Sequence, residues 1–192
     1  MTTDILSNIN FIDAVMGLII IRCIYSGATA GLVIEFFKLL GTIFATFITL
    51  HYFTAFAEFL TRMVSFPSNV AELIAFVVLW MIVVLIFKVV RDGWMLLIKT
   101  EAQESFNKAG GALTGIFRGV LVVGLTTLLL LLAGNKYLIK SIKTSFSGMY
   151  LSHFSISVYE SCYDNFVSKF FPKEKKNFDA LKITSRGSKK KE

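Results

Sequence analysis

One stretch constrains this chain more than any other. Gly110 to Gly134 reads GGALTGIFRGVLVVGLTTLLLLLAG, and nearly every residue in it is apolar or small. A helix rises about 1.5 Å per residue, so about 25 such residues cross a hydrocarbon layer about 30 Å thick. A soluble core helix is rarely so long and so uniformly apolar, and the stretch therefore predicts a membrane span. Gly111, Gly115 and Gly119 recur every fourth residue. They share one side of the helix, where a neighbouring backbone can come close. Arg118 stands beside the last of them, and Gly124 precedes a leucine run that suits lipid.

Three further runs meet the same length test. Phe11 to Tyr25 is a short first span with Asp13 and Arg22 near its ends, where charges cost far less than at the bilayer centre. Gly27 and Gly31 follow in GATAG, a spacing that allows a tight turn or close helix packing. Leu32 to Phe53 is the second span and contains Gly41; Glu35 and Lys38, three apart on one face, are placed to pair near the boundary. Thr54 to Asn69 is polar and ends in the turn signal Pro67-Ser68-Asn69. Val70 to Val90 is the third span, featureless enough to face lipid on most sides, and Arg91 to Lys108 is an amphipathic connector expected at the interface. The apolar start lacks a basic leader and a small-residue cleavage site, so it reads as a retained span.

The expected fold class is thus all-α: an integral membrane bundle of four transmembrane helices with an interfacial amphipathic C-terminal segment. Residues 1–134 form the membrane domain, 135–171 the interfacial region and 172–192 a basic, disordered tail. In 135–171, Leu138, Ile142 and Phe146 lie opposite Lys136, Lys140 and Lys143, and Ile156, Tyr159, Tyr163, Phe166 and Phe170 keep a three-to-four spacing. Truncation at Pro172 is expected to leave the fold intact. Four spans place both termini on one side of the membrane, and Lys/Arg counts on the two sides balance.

The net charge of +7 resides in the tail, because from Asn135 onward twelve Lys/Arg face five Asp/Glu, whereas the preceding residues hold eight of each. That tail reads as a solvated terminus, and no nucleic-acid partner is expected. Cys23 and Cys162 lie far apart, and His51 and His153 lie outside any ligand-like cluster, so neither a disulfide framework, a metal site nor a cofactor is expected. His51 reads as an interfacial residue. No nucleophile elbow, phosphate loop, dinucleotide fingerprint or HExxH appears in the sequence, and the chain is expected not to be an enzyme. The intramembrane charges Asp13, Glu35, Lys38 and Arg118 are the functional candidates, since an ionisable group in lipid must find a partner or water. Gly27, Gly31, Gly41, Gly111, Gly115 and Gly119 are the helix-packing candidates, with the seam of the fourth span set against the Gly27 to Gly41 region and Arg118 reaching Glu35 or Asp13.

Two segments carry a family resemblance. NFIDAVMGLIIIRCIYSGATAGLVIEFFKLLGTIFATFITLHYF resembles the start of the colicin V production protein family, and FNKAGGALTGIFRGVLVV is similar to its Asp-Arg-plus-repeated-glycine segment. The chain departs from that pattern at Asn107-Lys108, where the family has Asp-Arg, and at Ala30, where an Arg often precedes Gly31. The resemblance implies a bacterial inner-membrane protein tied to toxin production or secretion, or to envelope homeostasis. The expected partners are the lipid bilayer and either further copies of the chain or another envelope protein. The competing reading is a small oligomeric channel or solute transporter, in which Arg118 and the acidic groups line a polar path.

Overall fold

The computed structural model describes residues 11–64, 67–97 and 104–186. The polar lead-in 1–10, the middle of the expected connector and the end of the tail lie outside the described residues. All regular structure among the described residues is helical: α1 Phe11–Ala30, α2 Leu32–Met63, α3 Ser68–Leu97, α4 Glu104–Leu132, α5 Lys136–Thr144, α6 Phe146–Cys162, α7 Ser168–Phe170 and α8 Phe178–Arg186. A π-helical turn, Tyr163–Val167, joins α6 to α7. Helices α1 to α4 are each long and apolar enough to cross a membrane, and the chain is a multi-pass membrane protein.

The spans are longer than the apolar runs that announce them. Helix α1 continues through Gly27 to Ala30 and is broken at Gly31, whose φ of 85° lies in the left-handed region that favours glycine. Helix α2 does not stop at Phe53. It has 32 residues, about 48 Å at 1.5 Å per residue, so it projects beyond the hydrocarbon layer. The first part of the polar stretch, 54–63, is helical because nothing in TAFAEFLTRM breaks a helix, and its Ala57 packs on Ala71 and Ala75 of α3. Pro67 then starts α3, its carbonyl accepting from the Val70 and Ala71 amides at 2.9 and 3.1 Å. Helix α3 runs on through Gly93 to Leu97, replacing the first part of the expected interfacial connector with helix.

The C-terminal region departs most from expectation. Helix α5 keeps its cations outward and buries Ile142. Helix α6 packs along the bundle. Ser152, Ser155, Ile156 and Tyr159 form its buried face, against α2 and α4. The leucines of α4 that suit lipid are covered as a result: Leu125 and Leu128 are fully buried, Leu131 and Leu132 nearly so, and Leu129 is half-buried. The expected disordered tail contains α8, whose Ala180 and Ile183 are fully buried in the same core. Apolar side chains set three residues apart at the end of a lysine-rich stretch suffice to dock one turn of helix.

Candidate functional site

The glycines of α4 meet α1. A Cβ added at Gly111 would run into the Gly27 carbonyl, and one at Gly27 into the Gly111 carbonyl. A Cβ at Gly115 would lie 2.6 Å from the Cys23 carbonyl oxygen, and one at Gly119 would lie 3.2 Å from the Cys23 Cβ. Two backbones therefore touch over three turns, which is how helices associate where lipid offers no hydrophobic drive. Gly31 sits at the top of this contact, under the Asn107 side chain. Gly41 does not join it. Its neighbour is Phe87 of α3, whose Cβ would lie 2.8 Å from a Cβ at Gly41.

Asn107 is a residue that sequence reasoning missed. Gly31 precedes α2 and has no side chain to cap it. The Asn107 Oδ1 accepts from the Leu32 amide at 2.6 Å, so α4 caps α2 across 75 residues of sequence.

Just below this cap lies the charged cluster. Glu35, one turn into α2, is fully buried. Its Oε2 accepts from Lys38 Nζ at 3.0 Å, and its Oε1 accepts from Arg118 Nε of α4. Lys38 also reaches Ser26 Oγ of α1 at 3.3 Å. One carboxylate thus holds two cations and links three spans. A lone buried carboxylate in lipid would be strongly disfavoured, and two cations without it would repel. Asp13 is elsewhere, near the other end of the bundle, where its Oδ1 accepts from Ser145 Oγ at 2.6 Å. The structure therefore brings Glu35, Lys38 and Arg118 together and leaves Asp13 out.

A second polar group lies deeper. His51 is buried within the protein and stacks on Phe47 at 5.3 Å between ring centroids. It falls between the Phe44–Phe87 and Phe53–Phe76 ring contacts of α2 with α3, about half-way along the apolar run of α3. The Asn177 amide donates to the Tyr159 hydroxyl at 2.9 Å, and the same hydroxyl is hydrogen-bonded with His51 Nδ1 at 3.1 Å. His51 Nε2 then faces Glu174 at 3.5 Å. Asn177 shares its side-chain amide among the Leu50 carbonyl at 2.9 Å, the His51 carbonyl at 3.1 Å and Thr54 Oγ1 at 3.1 Å. Lys176 bridges Glu160 at 3.2 Å and Asp164 at 3.5 Å. These contacts strap the segment after Pro172 to α2 and α6, and no spacing within one helix could have announced them.

A family model described as Colicin V production protein matches residues 12–155. That range begins within α1 and ends within α6, so it contains both the glycine seam and the Glu35–Lys38–Arg118 cluster. Comparison with curated proteins and with solved structures returned no match.

Proposed function

We propose, from the premise that this chain belongs to the colicin V production protein family, that it is a non-catalytic component of a bacterial inner membrane serving toxin production or secretion, or the maintenance of the envelope. The observation that carries this reading is the extent of the match, which takes in all four spans and the first part of α6. A bundle held by backbone contact and one internal charge cluster suits a scaffold on which another envelope protein, or further copies of the chain, would assemble.

A second reading, a small oligomeric channel or solute transporter, draws support from the buried charges and from the His51–Tyr159 pair at mid-depth, since polar groups inside spans accompany solute paths. Two assays separate the readings. Complementation of toxin release in a deletion strain, with no solute flux through the purified protein in liposomes, favours the scaffold. Flux that Arg118→Ala abolishes favours the channel.

A further inference from the structure

A cleft of about 190 Å³ opens between α2, α3 and α4, lined by Lys38, Gly41, Thr42, Val84, Phe87, Lys88, Arg91 and Arg118. One water needs only about 10–15 Å³ of such space, so the cleft has room for a polyatomic group. Four of its lining residues are cations. The carboxylates in contact with them are Glu35, which serves both Lys38 and Arg118, and Asp92, which accepts from Arg91 Nε and Nη2 at 2.9 and 2.6 Å. Lys88 has no ion pair among the described residues and is exposed. The cleft is therefore cationic beyond what its own carboxylates neutralise.

The donors are also aimed. Glu35 holds the Arg118 guanidinium through Nε, and among the described residues neither terminal NH₂ group of Arg118 makes a hydrogen bond. That leaves the forked end, the edge that matches two oxygens of a phosphate, without a hydrogen bond among the described residues on a side chain that lines the cleft. The Thr42 hydroxyl is spent on the Lys38 carbonyl at 2.9 Å, so the recognition is cationic and not hydroxyl-based.

The geometry points to this cleft as a binding site for an anionic phosphate, taken from the headgroup of a membrane lipid. Depth selects the lipid. Lys88 follows Val70, the start of the apolar run, by eighteen residues. At 1.5 Å per residue that is about 27 Å, which puts Lys88 at the far boundary of a hydrocarbon layer about 30 Å thick, where headgroups begin. Below the cations the wall is apolar: Phe87 is fixed by stacking on Phe44 at 5.2 Å, and Val84 is 46% exposed on the outer side of α3. An acyl chain would follow that wall while its phosphate met the Arg118 fork, Lys38 and Lys88. Basic pockets between spans at this depth are suited to acidic lipid headgroups. The inference is independent of whether the chain is a scaffold or a channel.

The test uses the full chain purified in detergent and titrated with phosphatidylglycerol, phosphatidylcholine or inorganic phosphate, reading thermal midpoint and lipid adducts by native mass spectrometry. Phosphatidylglycerol should raise the midpoint and form a saturable adduct; the other two should not. Lys88→Gln, at an exposed position with no fold contact to lose, should raise the half-saturating lipid concentration about fivefold, the weight of one cation near an anionic headgroup. Arg118→Lys keeps a charge for Glu35 but removes the fork, and should weaken the adduct further. Equal adducts in parent and Lys88→Gln would overturn the site. Stabilisation by inorganic phosphate alone would assign the cleft to a free anion and overturn the lipid assignment.

Discussion

Arg118 Nε donates to Glu35 Oε1 across 83 residues of sequence, and it does so between two spans that run in the same direction. The pair therefore fixes the axial register of α4 against α2, on top of the contact of α4 with α1 through glycine. Because Glu35 is fully buried and also holds Lys38, its removal leaves two cations facing each other with no anion between them. Glu35→Ala should cost about 3–5 kcal/mol, the range for breaking a buried ion pair by deleting one partner. A melt in detergent should show a much lower midpoint for Glu35→Ala than for Arg62→Ala, whose side chain is exposed. Equal midpoints would remove the cluster from the account of stability.

The glycine seam makes a separate prediction, because its cost is steric. At Gly115 a side chain would meet the Cys23 backbone, which cannot rotate away. Gly115→Leu should separate α1 from α4 and lower the melting midpoint sharply, whereas Leu85→Ala should change it little, since Leu85 is 51% exposed on the outer face of α3. Gly124→Leu belongs with Gly115→Leu, because its Cβ would enter the Leu151 carbonyl and Ser155 of α6. A Gly115→Leu protein as stable as the parent would refute close backbone packing.

The strap after Pro172 reverses the expectation that the tail is dispensable. Asn177 is tied to α2 by its side chain and starts α8 by accepting from the Asp179 amide at 3.1 Å. Asn177→Ala removes the second hydrogen bond of the Leu50 and His51 carbonyls, which keep their partners within the helix, at a cost of about 1 kcal/mol. Truncation at Pro172 also uncovers the sites of Ala180 and Ile183, so it should lower the midpoint more than Asn177→Ala does. Limited proteolysis should cut 173–186 faster in the Asn177→Ala protein than in the parent.

The parts of this fold that were legible in the sequence are those whose signals are local to one helix. Length and apolarity announce the four spans, and a four-residue spacing puts Gly111, Gly115 and Gly119 on one side. The shortage of acidic residues within the spans narrowed the partner of Arg118 to Glu35 or Asp13. What stayed hidden depends on pairs of elements. The spacing of Ile156, Tyr159 and Tyr163 marks one apolar face on α6, but the same face would suit a membrane surface or a protein bundle. Gly124, with Leu151 and Ser155 opposite, allows the close approach that joins α6 to the bundle. Asn107 and Asn177 look like ordinary polar residues because their partners, the Leu32 amide and the α2 carbonyls, are backbone groups far away in sequence.

The placement of α6 can be tested with the two native thiols. Cys23 is buried at the α1–α4 seam, and Cys162 is half-buried in an apolar groove lined by Leu40, Ile43, Phe44, Phe47, Phe166 and Val167. Leu40 to Phe47 lie in the part of α2 that packs beside the apolar run of α3, as the contact of Phe44 with Phe87 shows. If α6 turns back along the bundle, Cys162 is packed in this groove at the level of Phe44 and Phe87 and shielded from water. A helix lying on the membrane surface would instead take it out of the groove and open it to the aqueous phase. A membrane-impermeant maleimide applied to both faces of the membrane should therefore label neither cysteine in the folded protein and both after denaturation in SDS. Ser68→Cys provides the control, since Ser68 is exposed at the start of α3, ahead of its apolar run, and it should label faster than Cys162 does. Rapid labelling of native Cys162 from the aqueous phase would return α6 to the surface and remove the cover from the α4 leucines.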